Sequence, residues 1–342
     1  MNDPIRVLVL FGPTASGKTE ILFNLFGRSK SGLQAEVISA DSMQVYRGMD
    51  IGTAKPSMDE RALVPHHLID ICSPDEQFNC GNFVHLADKA CLDIANRQKL
   101  PVISGGAGFY LKNFILGLPE APPSDEKIRS QLKQELNLKG APALMEELAA
   151  CDPESASRIH INDEYRLLRA LEVFRLCGRP LSAFAASVGT AAPAKNRPVY
   201  NFVIIGLFRC REELYRRINL RTEAMFAQGL PGEVNGLFEK GYTPQDPGLR
   251  AIGYREFFVE EPGEPKKWRL SRDFSGVQAL IAQNSRRYAK RQITFFASIP
   301  GVKWIEACQG KEQTTQLILR ELESFDCLRG VHTSGAKKGY VP

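Results

Sequence analysis

Residues 12–19 read GPTASGKT and carry the strongest chemical signal in this sequence. They match the pattern G-x-x-x-x-G-K-[ST], whose glycines let backbone N–H groups surround phosphate oxygens. An apolar run, residues 6–11, precedes the motif, and a helix-compatible run, residues 20–26, follows it. The helix N-terminus and Lys18 add positive charge, and the hydroxyl of Thr19 can ligate Mg²⁺. The motif predicts a di- or triphosphate site; the alternative is a chance match on a structural glycine turn.

An acidic side chain, Asp41, follows a second strand-like run, residues 36–39. Ligands of open α/β sheets bind at the carboxyl ends of strands, and the phosphate loop leaves such an end. We therefore expect Asp41 and Lys18 to face one crevice, where the carboxylate can help to hold Mg²⁺ or act as a general base. The alternative role is an N-terminal cap, for which the pair Asp41 and Ser42 is well suited.

Two further patterns are basic. Arg217 and Arg221 are four residues apart in a helical run, so they share one face that can clamp a pyrophosphate. The alternative is a solvated face that pairs with Glu212 or Glu213. Residues 286–292, RRYAKRQ, form the densest basic patch. Basic and aromatic side chains together suit a nucleic-acid backbone with unstacked bases, although proteins that bind no nucleic acid also carry basic helices.

The bulk composition is that of an ordinary globular protein. The chain has 342 residues, enough for two domains or for one with a large insertion, and its net charge of +5 favours an anionic partner. It has no apolar stretch of transmembrane length and no signal-peptide pattern, so we expect a cytoplasmic protein without membrane contact. Its eight cysteines form no C-x-x-C pair, which favours reduced thiols over zinc or a disulfide framework.

Strand-like runs alternate with helical ones, which predicts a parallel α/β sheet. After the strand at residues 36–39, residues 82–98 show helical periodicity, and the strand-like run 101–104 enters a glycine turn at residues 105–108. Strand character returns at residues 200–206. An Ala-, Ser- and Pro-rich loop is predicted before this strand, at residues 182–198. Two helices are predicted after it, at residues 211–240 and 274–299.

A proline cluster at residues 118–125 interrupts this pattern, and two amphipathic helical segments follow, residues 126–148 and 163–176. The simplest account is a helical insertion in a continuing α/β core. The predicted organisation is a catalytic core of residues 1–118 and 199–310, an insertion of residues 119–198, and a flexible tail of residues 328–342.

The motifs together resemble one family, the tRNA dimethylallyltransferases, also called tRNA isopentenyltransferases. The resemblance covers about residues 7–296, most of the chain. The most specific block is ADSMQVYRGMDIGTAKP, residues 40–56. The other motifs that carry the resemblance are GPTASGKT (12–19), PHHLID (65–70), GGAGFY (105–110), RIHINDEYRLLRALEV (158–173), GYRE (253–256) and AKRQITF (289–295).

The resemblance implies a P-loop NTPase-like parallel sheet flanked by helices, with a helical insertion that contacts tRNA. It also implies transfer of a dimethylallyl group from dimethylallyl diphosphate to N6 of the adenine 3′ to the anticodon, with Mg²⁺ assisting departure of diphosphate. Asp41 matches the family's base, and Arg217 its diphosphate-stabilising arginine, with Lys18 and Thr19 in the loop. The partners implied are dimethylallyl diphosphate and the tRNA anticodon stem-loop; no protein partner is required, so we expect a monomer.

Motif and resemblance together give two sets of predicted binding residues. The diphosphate-binding set is Gly12, Pro13, Thr14, Ala15, Ser16, Gly17, Lys18, Thr19 and Arg221. The tRNA-contacting set, which includes the basic patch, is Asp41, Ser42, Met43, Gln44, Ala107, Arg129, Tyr165, Arg166, Leu167, Leu168, Arg169, Arg250, Gly253, Tyr254, Arg255, Arg287, Lys290, Arg291 and Gln292.

The sequence departs from the family pattern at two places. Ala107 stands where the family usually has a threonine, so a hydroxyl cannot act there; either water, Ser104 or a backbone N–H replaces it, or the enzyme is slower. Phe295 or Phe296 stands where many members have tryptophan, and we expect either ring to be able to stack on a base.

Three other functions share some of these features. An adenylate isopentenyltransferase acting on free nucleotide would need neither the insertion nor the basic helix. A small-molecule kinase would show lid arginines but no prenyl pocket. A non-catalytic RNA-binding protein would have no need of intact Lys18, Thr19 and Asp41. The combination favours the tRNA prenyltransferase.

Overall fold

The structure is a computed structural model that describes residues 3–27, 33–118, 121–185 and 197–327. The chain divides into two compact units: unit 1 is Met1–Ile115 with Pro198–Pro342, and unit 2 is Leu116–Arg197. The predicted tail, residues 328–342, lies outside the described residues, as do residues 186–196 of the predicted loop. Within the described ranges, no helix combines the length and the apolar character that a membrane span requires.

Unit 1 is built on a six-stranded sheet with the strand order β3-β2-β4-β1-β5-β8. Every pairing in this sheet is parallel, which confirms the predicted parallel α/β core. A short antiparallel hairpin, β6 with β7, forms a separate sheet. The strands are β1 Ile5–Phe11, β2 Ala35–Ala40, β3 His66–His67, β4 Leu100–Gly105, β5 Tyr200–Phe208, β6 Phe258–Glu260, β7 Trp268–Leu270 and β8 Lys303–Glu306.

The helices of unit 1 cover the sheet and its carboxyl edge; α4 ends one residue inside unit 2. They are α1 Lys18–Phe26, α2 Met58–Leu63, α3 Cys80–Asn96, α4 Gly108–Leu116, α9 Arg211–Ala227, α10 Leu230–Glu239, α11 Phe274–Phe296 and α12 Lys311–Cys327. The predicted single helix 211–240 is two helices, because Gly229 adopts a left-handed conformation with φ 98° and starts a new one. The predicted helix 274–299 ends at Phe296.

Unit 2 is helical. Its helices are α5 Glu126–Cys151, α6 Pro153–Arg158, α7 Glu164–Cys177 and α8 Leu181–Ala185. The helix α8 lies where the sequence predicted a loop, and α5 bends at Gly140, whose φ of 79° is not helical. The core between α5 and α7 includes Leu132, Leu148, Leu167 and Leu171. Helical periodicity therefore located the two main helices, whereas the short ones gave no clear pattern.

The central strand β1 is apolar on both faces, as a parallel sheet covered by helices requires. Val9 and Phe11 pack in one core cluster, which includes residues of α3 and α4. Leu8 and Leu10 pack in the other, which includes residues of α1 and α12. This burial fixes β1, and with it the start of the phosphate loop at its carboxyl end.

A buried ion cluster lies at the other end of β2, around Glu36. The Glu36 side chain is only 3% exposed and accepts hydrogen bonds from Arg97, from Lys99 at 2.8 Å and from His67 at 2.7 Å. Burial by itself would raise the pKa of Glu36, but these partners outweigh it and lower that pKa to about 2. The cluster therefore stabilises the folded state only while Glu36 is ionised.

We expect E36Q to lower the free energy of unfolding by about 3 kcal/mol at pH 7, because Arg97 and Lys99 lose their buried ionic partner. Ionised Glu36 stabilises the fold fully above its unfolded pKa of 4.5, and this contribution disappears as the pH falls towards about 2. The difference between E36Q and the unsubstituted protein should therefore shrink over that window in denaturant titrations. E306Q, at an exposed strand position, is the control. A difference that is constant with pH would contradict the pKa shift.

Candidate active site

The phosphate loop connects β1 to α1 and folds back on its own lysine. Lys18 Nζ donates to the carbonyl oxygens of Gly12 at 2.8 Å and Pro13 at 3.0 Å. Gly17 has φ 97°, and a Cβ at Gly12 would lie 2.8 Å from the carbonyl oxygen of Leu207. Both glycines are therefore required by the backbone, which favours a built loop over a chance match.

Two arginines donate hydrogen bonds to this loop, and a third lines the cavity beside it. The Nε of Arg209 donates to the Ser16 carbonyl at 2.9 Å, and the Nε of Arg217 donates to the Ala15 carbonyl at 2.9 Å. Arg221 donates to the Thr53 carbonyl at 3.4 Å and lines the same cavity. Within the described residues neither Arg217 nor Arg221 pairs with Glu212 or Glu213; Arg217 pairs with Glu20 at 3.0 Å, and the pyrophosphate clamp stays a prediction. The missed residue is Arg209, whose signal was its position directly after a strand end.

The cations in this region are packed closely enough to perturb one another. Burial, and then the charge of Arg221, lower the pKa of Lys18 to about 8. Burial and Arg217 lower the pKa of Arg209, and burial lowers that of Arg221. Asp41 opposes the shift for both Lys18 and Arg221. A bound polyanion would relieve this repulsion, so the site is electrostatically suited to diphosphate.

Asp41 follows β2 and lines the same cavity as Lys18, as the sequence predicted. Its Oδ1 accepts the backbone N–H of Met43 at 2.9 Å and of Gln44 at 3.4 Å. Asp41 therefore caps a turn, although no helix begins there. Within the described part of the chain no hydrogen-bond donor engages Oδ2. The hydrogen bonds to Oδ1 thus orient the carboxylate, and Oδ2 is left able to accept a proton.

The loop, Arg217, Arg221 and Asp41 line one cavity of about 720 Å³. This volume is within the usual range for small-molecule sites. Its wall includes the apolar side chains of Ile218, Met225 and Ile281, next to the charged groups. Tyr288 also lines it, and burial and the charge of Asp41 raise the pKa of this phenol to about 12. The cavity can therefore hold a molecule with an anionic head and an apolar tail.

A divalent cation would have to bind here largely through ligand oxygens. The described residues contain no cluster of three or more His, Cys, Asp or Glu side chains that could hold a metal by themselves. Thr19 is exposed and lines the cavity, as does Asp41. A hydroxyl and phosphate oxygens are hard ligands of the kind that Mg²⁺ prefers. The residues present therefore fit a cation bound together with a phosphate ligand.

A model of the IPP transferase family matches residues 44–298. The chain belongs to this family. A tRNA dimethylallyltransferase 2 from Geotalea uraniireducens is 44% identical over 89% of this chain and 93% of its own length. A tRNA dimethylallyltransferase from Geobacter sulfurreducens is 42% identical over 88% and 92%. The family resemblance seen in the sequence motifs is confirmed.

Solved structures agree with the fold. The tRNA isopentenylpyrophosphate transferase from Bacillus halodurans is 35% identical, with a TM-score of 0.64 over 95% of this chain and 99% of that one. A eukaryotic dimethylallyltransferase acting on tRNA is 24% identical, with a TM-score of 0.79 over 96% of this chain and 81% of that one, and this match bears on the fold alone. The predicted P-loop NTPase-like fold of an IPP transferase is confirmed.

Some side chains of this IPP transferase family member hold the backbone around the cavity rather than facing into it. The Glu233 carboxylate accepts the N–H groups of Asp50, Ile51 and Gly52 at 3.0, 2.8 and 3.2 Å. The Tyr254 hydroxyl donates to Glu233 at 2.6 Å, and this tyrosine is fully buried. Burial argues against the predicted contact of the Tyr254 side chain with tRNA. Glu233, which the motifs did not single out, holds the loop that lines the cavity.

Gln292 is also buried and also joins backbone segments. It accepts the Thr14 N–H at 2.9 Å and donates to the Gly106 carbonyl at 2.8 Å. Gln292 thus links α11 to the phosphate loop and also reaches the cavity wall, and its tRNA contact stays a prediction. Ala107 packs against the core and donates its N–H to the Ala40 carbonyl at 3.0 Å. Ser104 lines the cavity instead, as one of the replacements expected for the missing threonine hydroxyl.

The rest of the predicted tRNA-contacting set in unit 1 surrounds the cavity or lies on α11. The members that line the cavity are Ser42, Met43, Gln44, Arg250, Gly253, Arg255 and Arg291. Arg287 and Lys290 are exposed on α11. The expectation that either phenylalanine can stack is wrong for Phe296, which is fully buried with its ring 4.8 Å from that of Phe11. Phe295 is half-buried and remains a candidate for stacking.

Unit 2 divides its predicted tRNA-contacting residues between the interior and the surface. Leu167 and Leu168 are buried, which argues against a side-chain contact with RNA. Arg129 and Arg169 pair with the buried Glu172 at 3.4 and 3.0 Å. The surface members are Tyr165, which is 61% exposed, and Arg166, which pairs with Asp163. A helix motif of five consecutive residues cannot present all of them on one side.

The lowered pKa of Lys18 leads to a testable dependence on pH. We expect the affinity for inorganic diphosphate with Mg²⁺ to fall between pH 7 and pH 9, because the anion binds the protonated lysine, whose pKa in the free protein is about 8. The fall should approach about tenfold per pH unit above that pKa. Calorimetric titrations would measure it.

Two variants serve as controls for this measurement. Lys18→Met should bind diphosphate weakly and show no such fall. Lys303→Met, in β8 and exposed, should reproduce the profile of the unsubstituted protein. Diphosphate itself becomes more negative as the pH rises, so its own titration cannot produce a loss of affinity. A flat profile in the unsubstituted protein would contradict the role of Lys18.

Proposed function

We propose that this protein transfers a dimethylallyl group from dimethylallyl diphosphate to N6 of the adenine 3′ to the anticodon of tRNA, with release of diphosphate. The observation that carries the proposal is the shared cavity: a cationic phosphate loop and the carboxylate of Asp41 line the same space as apolar side chains. A kinase needs no apolar space for a prenyl tail. The names of the relatives, tRNA dimethylallyltransferases at 42–44% identity, support the same reaction.

The residues of the phosphate loop stabilise the leaving group in this proposal. Breaking the C–O bond of dimethylallyl diphosphate leaves negative charge on the diphosphate, and preorganised donors lower the cost of that charge. Lys18, Arg209 and Arg217 already surround the loop. Mg²⁺, when bound with the Thr19 hydroxyl, supplies further neutralisation of the same oxygens. The loop thus holds a group that the reaction discards rather than a nucleotide that it hydrolyses.

Asp41 acts as the general base. The exocyclic amine of adenine is a weak nucleophile, because its lone pair is delocalised into the ring. Proton removal during attack therefore matters. The turn N–H groups of Met43 and Gln44 hold Oδ1, and Oδ2 is the oxygen available to accept the proton. The protonated Tyr288 phenol beside Asp41 can donate a hydrogen bond but cannot compete as a base.

The RNA contacts follow from exposure and charge. The adenine has to leave its stack to enter the cavity, which is a form of base flipping. Arg250, Arg255 and Arg291 line the cavity, and Arg287 and Lys290 are exposed on α11, so these residues suit the phosphates around the flipped base. The exposed Tyr165 and Arg166 are the proposed contacts of unit 2. We place the protein in the cytoplasm as a monomer.

One assay separates this function from its alternative. The protein is incubated with labelled dimethylallyl diphosphate, Mg²⁺ and either unmodified tRNA with an adenine 3′ to the anticodon or free AMP. Label in tRNA alone supports the proposal. Label in AMP alone would indicate an adenylate isopentenyltransferase, and no transfer to either acceptor would contradict prenyl transfer altogether.

The role of Asp41 is tested by D41N, which keeps an oxygen for the Met43 and Gln44 N–H groups and removes the base. We expect the single-turnover rate of transfer to fall by about 100-fold or more, with tRNA affinity changed by less than about threefold. The control is S42A, at the neighbouring position that also lines the cavity. Near-normal turnover in D41N would show that Asp41 only caps its turn.

The role of α11 in RNA binding is tested by the double variant R287A/K290A. We expect weaker tRNA binding and a slope of log K against log salt that is less steep by about 1 to 2, because fewer counterions are released. The matched control is K311A/R320A on α12. This variant removes the same charge from a helix that packs against Leu8 and Leu10 of β1. Equal slopes for the two double variants would remove α11 from the RNA interface.

A further inference from the structure

Two cysteines lie side by side beyond the sheet edge that carries the site. Cys210 follows β5 and Cys308 follows β8, and the parallel register pairs Phe208 with Glu306, two residues before each cysteine. The two Sγ atoms are 3.9 Å apart, and both residues are exposed. The N–H of Ala307 donates to the Phe208 carbonyl at 2.9 Å, which holds the two segments together. The pairing of β5 with β8 therefore brings the two cysteines together, although they are distant in sequence.

This pair differs from the other cysteines of the described chain. Cys80 and Cys91 are buried, and Cys72 and Cys151 are partly buried. Cys177 is exposed on α7 of unit 2, and within the described residues it has no cysteine partner. Cys210 and Cys308 combine exposure with a neighbouring thiol, which is the arrangement that a reversible disulfide needs.

The backbone around Cys210 is connected to the phosphate loop. The preceding residue, Arg209, donates to the Ser16 carbonyl at 2.9 Å. The carbonyl of Cys210 accepts the N–H of Leu214 and so starts α9, the helix that carries Arg217 to the loop. A displacement at Cys210 therefore reaches two of the arginines that surround the phosphate site.

We propose that Cys210 and Cys308 form a reversible disulfide when exposed to a small-molecule disulfide such as oxidised glutathione, and that this disulfide weakens diphosphate binding. A disulfide brings the two sulfurs to about 2.0 Å, so the pair has to close by roughly 2 Å. Because Cys210 lies between Arg209 and α9, this closure shifts the hydrogen bond to Ser16 or the start of the helix.

The chemistry is balanced thiol–disulfide exchange. A thiolate of one cysteine attacks a sulfur of glutathione disulfide, forms a mixed disulfide and releases one glutathione. The second cysteine, as a thiolate, attacks the protein sulfur of that mixed disulfide and releases the other glutathione. The protein loses two electrons and two protons, and one glutathione disulfide becomes two thiols. Because each attack needs a thiolate, the exchange should accelerate as the pH rises.

The test uses the full-length protein equilibrated in glutathione buffers of graded redox potential. Free thiols are blocked with an alkylating reagent, and digested peptides are analysed by mass spectrometry. We expect a peptide pair that joins Cys210 to Cys308, removed by dithiothreitol. The affinity for inorganic diphosphate with Mg²⁺ should fall about tenfold on oxidation, the value of roughly one charge-assisted hydrogen bond, and recover on reduction.

Three variants complete the test. Cys210→Ser and Cys308→Ser should keep the reduced-state affinity and lose its dependence on oxidation, whereas Cys177→Ser should behave as the unsubstituted protein. Glutathione adducts at both cysteines without the joined peptide pair would overturn the disulfide. A joined pair with unchanged diphosphate affinity would overturn its coupling to the loop. Neither the joined peptide pair nor the diphosphate affinity depends on prenyl transfer, so a failure of this proposal can be told apart from a failure of the proposed function.

Discussion

Four cations, Lys18, Arg209, Arg217 and Arg221, lie around one short loop, and the fold has to hold them together against their mutual repulsion. The backbone carbonyls of Gly12, Pro13, Ala15 and Ser16 in the loop, and that of Thr53 outside it, accept their hydrogen bonds, and Glu20 pairs with Arg217 at 3.0 Å. These bonds fix the loop before any ligand arrives. Burial is the main reason that the pKa values of Lys18, Arg209 and Arg221 are lowered, and a neighbouring arginine adds to the shift for Lys18 and Arg209, which an anionic ligand would offset.

The elements that bring these groups together lie far apart along the chain. Lys18 begins α1, Arg209 follows β5, and Arg217 lies on α9. They converge because β1 and β5 are adjacent parallel strands, so both chains leave the sheet at the same edge. Asp41 reaches that edge from β2, on the other side of β4. The parallel sheet thus places the phosphate loop beside a carboxylate.

A second layer of residues shapes the cavity without offering side chains for chemistry. Glu233 holds three successive N–H groups of the loop at residues 50–52, and Gln292 joins the phosphate loop to the turn after β4. A Cβ at Gly52 would lie 2.4 Å from the Tyr254 ring, so the glycine and the tyrosine require one another. Packing thus explains why the motifs at residues 40–56 and 253–256 contain a glycine and a tyrosine at these positions. A residue can therefore belong to a motif without facing the cavity.

The sequence by itself determined the phosphate loop, Asp41 at the end of β2, the parallel core and the main helices, because strand and helix periods and glycine turns are local signals. It also carried the family resemblance in contiguous motifs. Only the tertiary structure decided which motif residues face ligand. It buried Leu167, Tyr254 and Phe296, and it placed Arg209 on the loop and Cys210 beside Cys308. The physical reason is that burial and pairing depend on which strands become neighbours, and spacing along a chain does not contain that information.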